Sequence, residues 1–200
     1  MTRIAALISG SGTNLQAIID AIAAGDLPGL EITLVVSNRR EAYGNKRAIQ
    51  HGIPLVYFPL LPYSKAGRPR EDYDAALARI VQSFDAEWVV LAGWMHIFTQ
   101  AFIRHYPARI LNLHPALPGA FPGTDAIEHA LDAYQRGEID RTGVMVHLVP
   151  DEAVDAGPVL AQAEVPIEPE DTLESLETRI HETEYKLLIE TLKQQVAGNS

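Results

Sequence analysis

Short apolar runs alternate along the chain with segments in which apolar residues recur every three or four positions. The first run, Arg3–Ile8, predicts a buried strand, and the next segment, Asn14–Ala24, has the apolar spacing of a helix. The same alternation continues to the end of the chain. The predicted strands are Arg3–Ile8, Glu31–Ser37, Leu55–Phe58, Trp88–Ala92, Ile110–Leu113, Val144–Val149 and Val159–Val165. The predicted helices are Asn14–Ala24, Ala42–His51, Glu71–Ser83, Thr99 to about Tyr106, Asp125–Tyr134 and Thr172–Val196.

This order of elements predicts an α/β fold. Strands separated by helices form βαβ units, so we expect a mostly parallel sheet with helices on both faces. The last two strands flank the loop Pro150–Gly157 and predict an antiparallel pair. A chain of 200 residues is long enough for one domain with a well-buried core. Two proline-rich stretches, Pro59–Pro69 and Pro115–Gly123, are too short for domain linkers and are candidate functional loops.

Unusual residues follow three of the predicted strands. Gly10–Asn14 comes after the first strand, Gly93–Phe98 after the fourth, and Asn112–Pro118 at the end of the fifth. Parallel sheets bind ligands at the carboxyl ends of their strands, near the point where the strand order reverses. The sequence therefore predicts a ligand site at this edge.

The glycine loop Ser9–Asn14 links the first strand to the first helix. Its glycines allow a tight turn, and the helix start offers free N–H groups that suit a phosphate. Leu15 stands where a dinucleotide-binding loop would have its third glycine, so one phosphate fits better than a dinucleotide. A turn that merely caps the helix explains the same residues.

Asn112 and His114 are two positions apart on an extended segment, so their side chains share one face. An amide donor and an imidazole placed together can hydrogen-bond a developing oxyanion, and the imidazole can also exchange a proton near neutral pH. A buried polar pair satisfied by backbone groups is the alternative.

The loop Pro150–Gly157 contains three carboxylates, of which one is expected to hold His114 in its protonated form. The residues alone do not choose among Asp151, Glu152 and Asp155. Acidic loop residues are also commonly just solvated. The site hypothesis at this stage is therefore Asn112, His114 and one of three acids.

Composition excludes several classes of protein. The net charge of −10 argues against nucleic acid and anionic membranes as partners. The absence of cysteine excludes disulfides and thiolate chemistry, and no histidine spacing predicts a metal site. His147 lies in an apolar strand and is expected to be a satisfied core histidine. Five apolar residues between Arg3 and Ser9 are too few for a signal segment or a membrane span, which predicts a cytoplasmic protein.

Four ordered blocks of this sequence resemble the phosphoribosylglycinamide formyltransferase family of purine-synthesis enzymes. The blocks are Ile8–Ile18, Leu91–Met95, Asn112–Leu117 and Val154–Pro158. The resemblance extends from about residue 3 to about residue 190. It implies one Rossmann-like formyltransferase domain over residues 1–200, with a phosphate-binding half over about 1–100 and a folate and catalytic half over about 100–200.

The family's activity would be transfer of the formyl group of 10-formyltetrahydrofolate, a co-substrate, to the primary amine of glycinamide ribonucleotide. The resemblance implies catalysis by Asn112, protonated His114 and Asp155 through a tetrahedral intermediate, without a metal, in a monomer or homodimer. It implies ribonucleotide binding by Gly12, Thr13, Asn14 and Glu184. It implies folate binding by Arg70, Met95, His96, Ile97, Phe98 and Asn112.

Two departures from the family pattern concern the site. His96 stands where many relatives have arginine, and Asp125 lies in a segment where many have a histidine. The first weakens a folate contact if that contact uses the side chain, and the second removes any supporting histidine there.

Three other functions remain open. A formyltetrahydrofolate deformylase would use the same Asn–His–Asp set on water, but those relatives carry an additional amino-terminal domain. Methionyl-tRNA formyltransferases share the central blocks, but have a different first loop and an added RNA-binding domain. A non-catalytic nucleotide-binding module would keep the fold and bind ligand without turnover.

Overall fold

Seven strands form one sheet in the computed structural model, which describes residues 1–197; the last three residues of the predicted domain lie outside this part. The strands are β1 (Thr2–Ile8), β2 (Leu30–Ser37), β3 (Leu55–Tyr57), β4 (Trp88–Leu91), β5 (Ile110–His114), β6 (Arg141–Leu148) and β7 (Val159–Pro166). The helices are α1 (Thr13–Ala23), α2 (Tyr43–Gln50), α3 (Leu61–Lys65), α4 (Arg70–Ser83), α5 (Gln100–Ile103), α6 (Ala126–Gln135) and α7 (Leu173–Ala197).

The strand order is β3-β2-β1-β4-β5-β6-β7. Strands β1 to β5 pair in parallel, whereas β6 runs antiparallel to β5 and β7 antiparallel to β6. The predicted α/β fold, with a mostly parallel sheet and a final antiparallel pair, is therefore confirmed. The order reverses between β1 and β4, and the loops that follow these two strands flank the crevice expected there.

Each face of the sheet is covered by its own apolar core. Along β1, Ile4 and Ala6 point into the core on one face, and Ala5 and Leu7 point into the other. The first core packs against α1, α6 and α7, and the second against α4 and α5. Because both faces are buried, β4 and most of β1 are continuous apolar runs, which is why they stand out in the sequence.

The structure differs from the predicted elements at two places. The stretch Pro59–Pro69, predicted as a loop, contains the short helix α3, whose first turn accommodates Pro62. Helix α5 covers Gln100–Ile103 and does not reach Tyr106. Its N-cap Thr99 makes no side-chain cap bond, because the Thr99 hydroxyl donates instead to the buried Asp74 carboxylate.

Candidate active site

A cavity of about 300 Å³ opens at the carboxyl ends of β4 and β5. It lies where the sequence predicted a ligand site, beside the reversal in strand order. Its walls come from the loop after β4, the end of β5, the segment before α6 and the acidic loop between β6 and β7. The lining includes Trp94, Met95, His96, Ile97, Phe98, Asn112, His114, Gly123, Asp125, His147, Asp151, Val154 and Asp155.

Asp155 contacts other polar side chains of this cavity with both of its carboxylate oxygens. One of its oxygens, Oδ1, accepts a hydrogen bond from Asn112 Nδ2 at 3.0 Å. The other, Oδ2, lies 3.2 Å from His114 Nδ1 and accepts from the Gly123 backbone N–H at 2.9 Å. The three side chains that were candidates for catalysis are thus brought together around one carboxylate.

The other two carboxylates of the acidic loop have different partners. Asp151 accepts from the backbone N–H of Ala153 within its own loop, and Glu152 accepts from the backbone N–H of Gln100 at the start of α5. Only the Asp155 backbone takes a positive φ, of 50°, among the three acids. Asp151 also lines the cavity, but of the three acids it is Asp155 that contacts Asn112 and His114, and the loop conformation places it there.

The charge of Asp155 is retained despite its partial burial. Burial raises the pKa of this carboxyl, but hydrogen bonds from His147 and Gly123 and the charge of His114 together lower it below its usual value. Asp155 is consequently an anion at neutral pH and an acceptor toward each donor around it.

His114 is 3% exposed, and acceptors face both of its ring nitrogens. Nδ1 lies near Asp155, and Nε2 lies 3.0 Å from the Phe121 carbonyl oxygen. A neutral imidazole carries one N–H and can donate to only one of them, whereas an imidazolium donates to both. Both ring nitrogens of His114 thus have an acceptor within hydrogen-bond reach.

His147 is buried, as expected of a core histidine, but it also belongs to the cavity. Its Nε2 lies 3.1 Å from Asn112 Nδ2 and 3.4 Å from Asp155 Oδ1. The sequence analysis missed this contact. The signal would have been the strand register, since His147 on β6 stands directly opposite Asn112 on β5.

The glycine loop forms a second polar cluster, apart from the cavity. Gly12 caps α1 with a φ of 70°, and Asn14 hydrogen-bonds the buried Glu184 of α7. Neither Gly12, Thr13, Asn14 nor Glu184 lines the cavity. The two regions are joined at Ser9, whose hydroxyl accepts from the Met95 backbone N–H at 3.0 Å.

Burial raises the pKa of Glu184 to about 7, against 4.5 for an ordinary glutamate, although the bond from Asn14 opposes the shift. At a pH between 4.5 and about 7, the Glu184 carboxyl is ionised in the unfolded chain but stays protonated in the folded one. The folded state then binds more protons, so stability falls as pH rises, by up to about 1.4 kcal/mol per pH unit.

Glu184→Gln removes this proton uptake. We expect wild type to lose stability from about pH 5 to pH 7 through this group, and the variant not to show this part of the loss. At pH 8 the variant should then be the more stable protein. Urea unfolding of both proteins at pH 5, 6, 7 and 8 measures the difference. A constant difference in unfolding free energy across this range would contradict the raised pKa.

The residues implied in folate binding contribute in different ways. Arg70, at the start of α4, donates to the Ile97 carbonyl oxygen and to Asp74 Oδ1, the latter at 3.0 Å. Met95 and Ile97 are more than half exposed at the cavity mouth. The Phe98 ring is buried and stacks on a core phenylalanine, so its backbone is the part left for a ligand.

The two departures from the family pattern are both in the cavity wall. His96 Nε2 lies 3.1 Å from the Asn38 side-chain nitrogen, and burial, Arg70 and Arg39 together lower the His96 pKa. A neutral His96 does not replace the charge of an arginine. Asp125 caps α6 with a φ of 60° and supplies a carboxylate to the cavity wall in place of a histidine.

Within residues 1–197, no helix combines the length and apolar composition needed to cross a bilayer. Over the same described part of the chain, no three histidine, cysteine or acidic side chains are grouped so that they could hold a metal ion.

Comparison with known proteins identifies the family. Residues 2–192 match the family model described as formyl transferase. The phosphoribosylglycinamide formyltransferase of Schizosaccharomyces pombe is 47% identical, over 96% of this chain and 96% of that protein. The enzyme of the same name from Escherichia coli is 38% identical, over 92% of this chain and 82% of the relative.

Solved structures agree with the sequence relatives. Glycinamide ribonucleotide transformylase 1 from Symbiobacterium toebii superposes with a TM-score of 0.91 at 38% identity, covering 99% of this chain and 89% of that one. The phosphoribosylglycinamide formyltransferase of Coxiella burnetii superposes with a TM-score of 0.89 at 43% identity, covering 98% and 88%. With its fold and nearly its whole length matched, this chain belongs to the phosphoribosylglycinamide formyltransferase family.

Proposed function

We propose that this formyltransferase moves the formyl group of 10-formyltetrahydrofolate to the primary amine of glycinamide ribonucleotide. The observation that carries the proposal is the convergence of Asn112, His114 and Asp155 in one cavity at the strand ends. The names of the relatives at 38–47% identity support the two substrates.

The reaction begins when the amine nitrogen attacks the formyl carbon. The carbonyl oxygen becomes an oxyanion, and the resulting tetrahedral intermediate then breaks its bond to N10 of the folate. The amine loses a proton and N10 gains one, so the protons balance. Asp155, which contacts both Asn112 and His114, orients a water that carries this proton, and its negative charge lies beside His114.

The oxyanion is stabilised by Asn112 and His114, which donate hydrogen bonds from a largely buried site. The Phe121 carbonyl oxygen lies 3.0 Å from His114 Nε2. In the reaction the oxyanion takes the place of this carbonyl as the acceptor. The exchange of one acceptor for another leaves the Nδ1 contact with Asp155 in place.

The ribonucleotide phosphate binds at the start of α1, through the loop Gly12–Asn14, with Glu184 on the same substrate. Two features support this site: the free N–H groups at the helix start, and Arg47 Nε, which donates to the Ser11 carbonyl oxygen at 2.9 Å and braces the loop. On the folate side, the segment Met95–Phe98 lines the cavity, and Arg70, which lies outside the lining, holds this segment through the Ile97 carbonyl oxygen.

One assay separates this function from its alternatives. The protein is incubated with 10-formyltetrahydrofolate in the presence and absence of glycinamide ribonucleotide, and release of tetrahydrofolate is followed. Release that requires the ribonucleotide supports the transferase. Equal release without the ribonucleotide would indicate a hydrolase acting on water, and no release in either case would indicate a binding module.

Gly12→Ala should weaken ribonucleotide binding about tenfold, because alanine is strained at the positive φ that Gly12 adopts. An alanine Cβ would also lie 2.6 Å from the Cα of Gly44 on α2, so the phosphate loop must shift. Calorimetric titration with glycinamide ribonucleotide measures the dissociation constant.

Gly25→Ala is the matched control. Gly25 has a φ of 79° and open space around it, and it lies beyond the other end of α1. This variant carries the same backbone strain and should bind the ribonucleotide like wild type. Equal affinity in Gly12→Ala and Gly25→Ala would place the phosphate elsewhere.

A further inference from the structure

His147 is held in one orientation at the middle of the cavity wall. It is 2% exposed, and its Nδ1 lies 2.9 Å from the Leu148 carbonyl oxygen. A carbonyl only accepts, so Nδ1 must carry a proton and donate it. The other ring nitrogen, Nε2, consequently always faces Asn112 and Asp155.

The state of Nε2 determines what the Asn112 amide can do. In the neutral ring Nε2 accepts one N–H of Asn112, while the second N–H goes to Asp155 Oδ1. In the charged ring Nε2 donates to Asp155 instead, and one N–H of Asn112 is released to the cavity. In both states the Asn112 nitrogen points toward Asp155, and its oxygen points away.

We propose that His147 is a positioning residue for the reaction, which fixes the orientation of the Asn112 amide and of the Asp155 carboxylate in the cavity wall. The proposal rests on the proposed formyl transfer. A histidine serving the core alone would need only its bond to Leu148. The contacts of Nε2 with two catalytic side chains are additional to that need.

Two amide substitutions of His147 distinguish the contact of Nδ1 from the contacts of Nε2. In His147→Asn the shorter amide can keep the bond to the Leu148 carbonyl but withdraws from Asn112 and Asp155. In His147→Gln the longer amide places a polar group where Nε2 stood. Both variants replace one buried polar side chain by another, so a loss of core packing alone affects both.

The proposal predicts a loss of kcat of about 10–100-fold in His147→Asn, because a catalytic group displaced by about 1 Å loses rate on this scale. His147→Gln should recover most of that loss. KM for the ribonucleotide should stay near the wild-type value in both, since the phosphate loop and Glu184 do not line the cavity that His147 lines. Steady-state kinetics and thermal unfolding midpoints are measured for both variants.

Equal kcat in the two variants would overturn the proposal, whether both match wild type or both fall together with their unfolding midpoints. Absence of ribonucleotide-dependent transfer in wild type would instead overturn the proposed function.

A second measurement needs only folded proteins without substrate. Nitrogen NMR of His147 should show a protonated Nδ1 and an Nε2 resonance that moves in Asp155→Asn, and an unprotonated Nδ1 or an unmoved Nε2 resonance would contradict the arrangement.

Discussion

Asp155→Asn should lower kcat about 10³-fold while glycinamide ribonucleotide still binds. Asparagine has the shape of aspartate but presents an NH2 group on one side. Both oxygens of Asp155 face donors, with Asn112 at Oδ1 and His114 and Gly123 at Oδ2. Whichever side the NH2 occupies, it meets a donor, and the negative charge beside His114 Nδ1 is lost.

Steady-state kinetics with both substrates measure kcat, and calorimetry measures ribonucleotide affinity separately. Glu152→Gln is the matched control, because Glu152 belongs to the same loop and its amide can still accept from the Gln100 N–H. Glu152 does not line the cavity, so the control should turn over like wild type. A kcat for Asp155→Asn within a few-fold of wild type would remove Asp155 from the mechanism.

A double variant tests whether Asp155 acts through His114. His114→Ala alone should lose most turnover with ribonucleotide binding retained. If the carboxylate acts mainly through the imidazole, His114→Ala/Asp155→Asn should be little slower than the slower single variant, because residues that act as a unit are not additive. Losses that multiply would indicate two independent contributions.

The fold follows closely from the apolar pattern. Strand β1 is buried on both faces and is apolar at every position from Ile4 to Ile8, while α1 shows its core face at helical spacing. The helix α3 was missed because it buries none of its residues fully, so its five residues carry no periodic signal. Patterns of burial predict only the elements that burial stabilises.

The site was predictable where it depends on local geometry. Asn112 and His114 share a face because side chains alternate along a strand, and this requires no tertiary information. Asp155 could not be chosen from the residues alone, since its direction depends on a positive φ within a loop. The place of His147 depends on the register of β6 against β5, which a single sequence does not determine.

Asp74 carries no sequence signal at all. On α4 it follows two other acids and looks like one more solvated helical carboxylate, yet it is completely buried. Its Oδ1 accepts from Arg70 Nε, and its Oδ2 accepts from the backbone N–H and hydroxyl of Thr99 at 2.7 and 2.9 Å. Asp74 thereby ties α4 to the end of the loop that forms the cavity mouth.

Arg70→Met should therefore lower the free energy of unfolding by about 3 kcal/mol, even without folate present. The substitution leaves the buried Asp74 carboxylate without its counterion, and breaking a buried pair in this way typically costs about 3–5 kcal/mol. The low end applies here because the Arg70 side chain is 27% exposed. Urea unfolding at neutral pH measures the loss.

Arg68→Met tests whether burial is the cause. The pair of Arg68 and Asp72 has the same spacing and the same distance of 3.0 Å as Arg70 and Asp74, but its side chains are 52% and 43% exposed. The loss of unfolding free energy in Arg68→Met should stay below about 1 kcal/mol.

Arg70→Met/Asp74→Asn should regain part of the stability that Arg70→Met loses, because the double variant holds no unpaired buried charge. Two results would contradict the role of the buried charge. One is an equal loss of unfolding free energy in Arg68→Met and Arg70→Met, and the other is a double variant less stable than Arg70→Met.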